Sequence, residues 1–300
     1  MPASVCLCVA GWHFRPDVFD ALERIRAAFG ADVFVVSHRP LGDVPAQVAA
    51  RVGAERVLVR PNVGYDWGCY QQFLDTGAWR GYDHVFFLHD DIVIRDIGFV
   101  PACIERLATG ARFVGNGRNA AKTDWPTTHA HCYAHAAVRP PGPGFRHATV
   151  RGSFLATTRP ALAELGGFEV FWDPFHLTDR FGNWSVVASS GRMAVRFGPD
   201  RLAFLSDAYL ESDYLVELVR GTADQDQPAG DLPAPRRVPF AVQVKLSRWF
   251  MRWWWSARSG RLRSAALAGL GAVLAVNASP RLGRGSGGLD ADWRPPAAAV

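Results

Sequence analysis

Apolar runs bounded by polar turns organise the first part of the chain. Ser4–Ala10 is almost continuously apolar, the pattern of a strand buried on both faces. Pro16–Phe29 then places Val18, Leu22, Ile25 and Phe29 at helical spacing, and Gly30 stands where a C-cap belongs. Val33–Ser37 predicts a second strand, Val44–Val52 a second helix closed by Gly53, Arg56–Val59 a third strand and Val85–Leu88 a further one. Strands alternating with helices predict an α/β fold with a mainly parallel sheet and flanking helices. Phe113–Gly115 predicts another strand, and regular pattern returns at Gly152–Thr157 and in a helix at Arg159–Leu165, ended by Gly166-Gly167. Between them, residues 117–150 are rich in Pro, Gly, His and Thr and read as a long functional loop. The expected organisation is one domain over 1–220, a linker over 221–239, a basic, Trp-rich helical segment over 240–278 and a disordered tail over 279–300.

Composition adds a core and an asymmetry. Of 300 residues, 49% are hydrophobic, which supports a packed interior and excludes general disorder. The net charge of +5 hides a basic stretch without acids from Arg236 to Arg263, which interleaves Lys245, Arg248, Arg252, Arg258, Arg261 and Arg263 with Trp249, Phe250 and Trp253-Trp254-Trp255. Tryptophans among arginines suit an amphipathic helix on an anionic membrane, here spanning 236–276. Packing of that helix on the preceding domain ranks second and nucleic-acid binding third. The N-terminus lacks the basic start of a signal peptide and no apolar run approaches ~20 residues, so the expected location is cytoplasmic, peripheral at the inner face of the cell membrane. Five cysteines (Cys6, Cys8, Cys69, Cys103, Cys132) have no metal-type spacing and read as reduced, mostly buried thiols, with Cys6 and Cys8 expected on opposite faces of the first strand.

Chemistry concentrates where a strand stops. Val85–Leu88 ends on His89-Asp90-Asp91, which places the acids at the carboxyl edge of a sheet, where open α/β folds bind ligands. Adjacent carboxylates repel and call for a cation or a proton between them. Oxygen ligands suit Mg²⁺ or Mn²⁺, often shared with a substrate phosphate. One helix upstream stands Asn62-x-Gly64-x-Asp66-x-Gly68, whose glycines permit close backbone approach and whose helix-start amides favour anions.

These two motifs, followed by Gly152-Ser153-Phe154 and Gly166-Gly167-Phe168, resemble the family 2-like glycosyltransferases of GT-A fold, in particular the bacterial branch similar to rhamnan-synthesis proteins, over residues 4–215. The resemblance implies a nucleotide-sugar donor bound by Ser37, Asn62, Gly64, Asp66, Gly68 and Asp90. It implies a Mn²⁺ or Mg²⁺ ion held by Asp91, with His89 standing where the family carries its first acid. Ser37-His38-Arg39 follow the second strand where the family commonly has an acid, and Ser37 is expected to hydrogen-bond the base. An acid after the Gly-Gly-Phe turn serves the family as general base in inverting transfer; Asp179 has the better spacing and Asp173 is the runner-up. The implied acceptor is a bacterial cell-surface glycan or a lipid-linked glycan. His129, His131, His135 and His147 with Cys132 fit no closed zinc motif and read as acceptor-site or surface residues. A non-catalytic nucleotide- or sugar-binding protein on the same fold is the main competing reading, and a nucleic-acid-binding protein led by the basic tail is the weaker one.

Overall fold

The computed structural model describes residues 3–39, 44–60, 65–90, 92–116, 122–124, 145–150, 152–170, 180–206 and 208–211, together with helical positions at Leu246, Trp249, Trp253, Arg261, Leu262, Ala265 and Gly269. The strands are β1 (Val5–Gly11), β2 (Asp32–Ser37), β3 (Val57–Val59), β4 (His84–His89), β5 (Val93–Ile94), β6 (Phe113–Asn116), β7 (Lys122–Asp124), β8 (Arg146–Ala148), β9 (Phe154–Thr158), β10 (Leu202–Leu205) and β11 (Leu210–Glu211). The helices are α1 (Pro16–Phe29), α2 (Ala46–Val52), α3 (Tyr65–Thr76), α4 (Phe99–Ala108), α5 (Arg159–Leu165) and α6 (Arg180–Phe197).

Seven strands form one sheet in the order β10-β6-β9-β4-β1-β2-β3. All neighbours run parallel except around β9, which is antiparallel to both β4 and β6. This is the mainly parallel, helix-flanked sheet that the pattern predicted. Helices cover both faces, so the central strands must be apolar on both sides, and every residue of β1 is buried. Val5, Leu7 and Val9 pack in the layer with Val18, Leu22 and Ile25 of α1 and Phe99, Val100 and Cys103 of α4. Cys6, Cys8 and Ala10 pack in the other, with Trp67, Tyr70 and Phe73 of α3, Leu162 and Leu165 of α5, and Met193 and Ala194 of α6. Cys6 and Cys8 therefore share one face, which corrects the expectation, because a step of two residues along a strand returns a side chain to the same side. Cys6, Cys8, Cys69 and Cys103 are free and buried; Cys132 lies outside the described residues.

Element boundaries moved for local reasons. The second helix starts at Ala46 rather than Val44, since Pro45 disfavours the helical region for the residue before it. The third strand starts at Val57 because Ala54–Arg56 close a 3₁₀ turn. Within 117–150, Lys122–Asp124 and Arg146–Ala148 pair as an antiparallel ladder, so part of the expected loop is strand. The chain divides into two units, Met1–Asp173 with Leu177–Asp226, and Pro174–His176 with Gln227–Val300. Among the described residues no helix is long and apolar enough to cross a membrane.

Candidate active site at the carboxyl edge of the sheet

The parallel register brings four strand ends into one row. Gly11 lies beside Ser37, Ser37 beside Val59, and Ala10 beside His89. Ser37 is fully buried, and its hydroxyl closes a turn: the Arg39 backbone N–H donates to Oγ at 3.0 Å, and Oγ donates to the Arg39 carbonyl at 3.2 Å. The next residue, His38, puts Nε2 3.1 Å from Gln72 Oε1 and 3.2 Å from Cys69 Sγ. Burial pushes the Cys69 thiol well above its ordinary range.

Asp90 turns inward. Its Oδ2 accepts the backbone N–H of Trp12 at 2.7 Å and of Phe14 at 2.6 Å. Its own N–H donates to the Ala10 carbonyl at 3.2 Å. The carboxylate thus holds the segment between β1 and α1, where Phe14 sits in the left-handed region at φ 55°. That conformation costs a non-glycine residue ~1–2 kcal/mol, which the two charge-assisted bonds offset.

Asp66, His89 and Gly152 converge beside it. Asp66 lies in the first turn of α3, where a carboxylate complements the positive end of the helix. Its Oδ2 is 3.0 Å from Nε2 of His89, the last residue of β4, with side chains 14% and 26% exposed respectively. Gly152 makes this approach possible. A Cβ there would lie 1.5 Å from Asp66 Oδ2 and 2.8 Å from Trp67 Nε1. No side chain fits, so the glycine of the Gly-Ser-Phe motif is a steric requirement. The Tyr70 hydroxyl donates to the Gly152 carbonyl, and the Ser153 carbonyl accepts the His89 N–H at 3.2 Å. Gly68 is buried in the same helix. Two polar atoms in this corner, Trp67 Nε1 and Ser153 Oγ, are buried without a hydrogen-bond partner.

The Gly-Gly-Phe turn is fastened to the same helix. Gly166 ends α5 at φ 76°, and Gln71 Oε1 of α3 accepts the Phe168 N–H at 2.8 Å. The Phe168 ring meets Trp67 edge-on at 5.0 Å and Phe87 at 5.2 Å, contacts worth ~0.5–1.5 kcal/mol each beyond burial. Beyond the turn, Glu169 pairs with Arg192 at 2.7 Å; burial pushes its carboxyl above the usual range while Arg192 opposes the shift. Helix α6 begins at Arg180, directly after Asp179. Asn62, Gly64, Asp91, Asp173 and Asp179 lie outside the described residues, as do His129, His131 and His135. His147 is buried in β8, with Nδ1 2.9 Å from the Ala148 carbonyl.

Sequence reasoning missed Trp67, Tyr70 and Gln71. Their signal was present: together with Asp66 they recur at steps of four and three along α3, so one helical face carries the motif acid and both anchors. Among the described residues no group of three or more His, Cys, Asp and Glu side chains is gathered as for a metal ion. Asp66 and His89 are nonetheless an oxygen and a nitrogen donor side by side, a set that suits Mn²⁺ better than Mg²⁺.

No protein family and no curated protein matches the chain. Solved structures do resemble it. Glucosyl-3-phosphoglycerate synthase of M. tuberculosis is 16% identical at a TM-score of 0.44, covering 83% of this chain and 74% of that one. Residues 1–349 of S. aureus TarS, in complex with UDP-GlcNAc, are 12% identical at 0.43, covering 90% and 71%. Mannose-1-phosphate geranyltransferase of Thermus thermophilus is 13% identical at 0.41, covering 78% and 81%.

Proposed function

We propose that the chain is a glycosyltransferase that moves a sugar from a nucleotide-sugar donor to a bacterial cell-surface or lipid-linked glycan, with inversion. The observation that carries this reading is the convergence of Asp66, His89 and Gly152 at the carboxyl edge, with the Gly-Gly-Phe turn tied to the same helix. Donor diphosphate fits this edge because strand-end and helix-start backbone N–H groups favour anions. Asn62, Gly64, Asp66 and Gly68 would bind the donor. Asp91 and His89 would hold Mn²⁺ or Mg²⁺, which supplies neutralisation of charge on the departing diphosphate. Asp179 accepts the proton of the attacking acceptor hydroxyl, with Asp173 as the alternative. The acceptor oxygen forms the new bond to the anomeric carbon as the bond to the diphosphate oxygen breaks on the opposite face.

The test is direct. Nucleotide sugars are screened for thermal stabilisation with and without Mn²⁺, and the stabilising donor is assayed for slow hydrolysis and for transfer. A ligand present at ~100 times its Kd stabilises the folded state by ~2.7 kcal/mol, enough to detect. Asp179→Asn retains donor binding and loses ~10²-fold or more in transfer. No stabilisation by any nucleoside diphosphate sugar refutes the donor assignment. Stabilisation without turnover by the wild type favours the non-catalytic binding protein.

A further inference from the structure

We propose that Asp66 is itself a metal ligand and forms with His89 the protein's primary chelating pair, in place of the first acid that this strand end lacks. The inference rests on the transferase reading only for the identity of the substrate phosphate; the cation site stands on its own geometry.

The separation is the first argument. Metal–ligand bonds of ~2.1 Å in an octahedron set neighbouring ligand atoms ~3.0 Å apart. Asp66 Oδ2 and His89 Nε2 lie 3.0 Å apart, so one cation meets both with little movement. The supports of the pair are the second argument. His89 ends a central strand and its N–H is fixed to the Ser153 carbonyl. Asp66 sits in the first turn of a helix locked through Tyr70 to Gly152. The empty Cβ position of Gly152 is what admits the carboxylate. Ligands carried on rigid elements with fixed neighbours are what metal sites require.

The third argument is independent of the pair. Trp67 is 0% exposed and its Nε1 has no hydrogen-bond partner, although a buried N–H without an acceptor costs ~1–3 kcal/mol. That nitrogen and Asp66 Oδ2 flank one point, the missing Cβ of Gly152. On the His89 side, Ser153 is 6% exposed and its Oγ is likewise without a partner. An indole donor and a hydroxyl left over on either side of a carboxylate–imidazole pair match an outer shell for a cation and its bound water. The indole N–H steadies the ligand carboxylate or such a water, and the hydroxyl oxygen accepts a hydrogen bond from that water. Because one ligand is nitrogen, the site favours Mn²⁺ or Co²⁺ over Mg²⁺.

The experiment separates ligation from mere orientation of His89. Mn²⁺ binding to the full chain is measured by electron paramagnetic resonance, with and without UDP, for wild type and Asp66→Asn, whose folding is checked by melting. Asparagine still hydrogen-bonds an imidazole, yet it is a poor ligand. The expected result is a loss of ~10-fold or more in Mn²⁺ affinity with the fold intact. In parallel, Asp66→Cys is titrated with Co²⁺. A thiolate-to-cobalt charge-transfer band that the wild type lacks places residue 66 in the coordination shell. Unchanged Mn²⁺ affinity in Asp66→Asn, or Co²⁺ bound by Asp66→Cys without that band, overturns the proposal. If Mn²⁺ binds through Asp66 but no nucleotide sugar is bound or turned over, the metal site stands and the transferase reading falls.

Discussion

Asp90 offers the sharpest energetic test of how this edge is built. Asp90 is 2% exposed, and its carboxylate accepts two backbone N–H groups, at 2.7 and 2.6 Å, from a segment nearly eighty residues away. Asp90→Ala removes the acceptor and leaves the buried Phe14 N–H and the half-buried Trp12 N–H behind. Each unsatisfied donor costs ~1–3 kcal/mol, and the left-handed Phe14 loses what stabilises it. Partial relaxation returns some of this, so the expected loss is about 3–5 kcal/mol. Asp90→Asn keeps an amide oxygen in place and forfeits only the charge assistance, so it should cost about 1–2 kcal/mol. For a domain of this size each kcal/mol moves the melting temperature by ~2–4 °C. The alanine variant should therefore melt on the order of 10 °C below wild type and the asparagine variant only a few degrees below.

Urea unfolding measures the same quantity isothermally, with unchanged slope showing that only stability has moved. The ordering matters as much as the size, because a residue whose main task is to touch the donor would show it in binding. If Asp90→Ala lies within ~1 kcal/mol of wild type while nucleotide affinity collapses, the structural account is wrong and Asp90 belongs to the donor site.

Three further outcomes are expected. Gly152→Ala forces a Cβ to within 1.5 Å of the Asp66 carboxylate, so Asp66 must leave His89; Mn²⁺ affinity should fall at least as far as in Asp66→Asn, and wild-type affinity in a folded Gly152→Ala protein would refute the packing. His147 is held below its ordinary value of 6.5 by burial. The unfolded chain therefore takes up its proton first, and this contribution to stability, complete above pH 6.5, is lost as pH falls through the folded-state value; His147→Gln should flatten the stability–pH curve below 6.5, with His84 leaving a residual slope of the same sign. Truncation before Arg236 should release the protein from anionic vesicles while sparing transfer to a short soluble acceptor. Each Arg near such a surface contributes ~1 kcal/mol and Trp249, 57% exposed and 5.6 Å from the Trp253 ring, adds apolar contact; absence of vesicle binding by the full chain at low salt would refute it.

The parts of this fold that were legible from sequence are those that depend on local period. The runs of β1, β2 and β4 and the amphipathic spacing of α1 announce themselves, because burial on both sheet faces demands continuous apolar strands. Strand direction carries no such mark. Phe154–Thr158 reads as a strand, but nothing within it says that it runs against both neighbours. The ladder of Lys122–Asp124 with Arg146–Ala148 hid in a Pro- and Gly-rich stretch for the opposite reason, since short strands bordered by turn residues have too few positions to show a period. At the site, the terminal position of His89-Asp90 was legible. The inward turn of Asp90 toward Trp12 and Phe14 was not, because it is a contact between chain segments far apart in sequence.

That distinction explains why α3 organises the edge. A strand end fixes where His89 stands but not what it faces, and a turn such as Gly166-Gly167 fixes a direction only if something holds it. Helix α3 answers both needs with neighbouring turns of one face. Asp66 meets His89, Tyr70 holds Gly152, and Gln71 holds the Phe168 N–H that opens the segment leading to Asp173 and Asp179. The aromatic contacts of Trp67 and Tyr70 with Phe87 and Phe168 lie beneath these polar ties and keep the helix from sliding. The Asp66–His89 pair and the Gly-Gly-Phe turn are thus referred to a single rigid element. Loosening Gln71 alone should misplace the base side while Mn²⁺ affinity stays unchanged, a split that separate supports for the two halves of the site would not require.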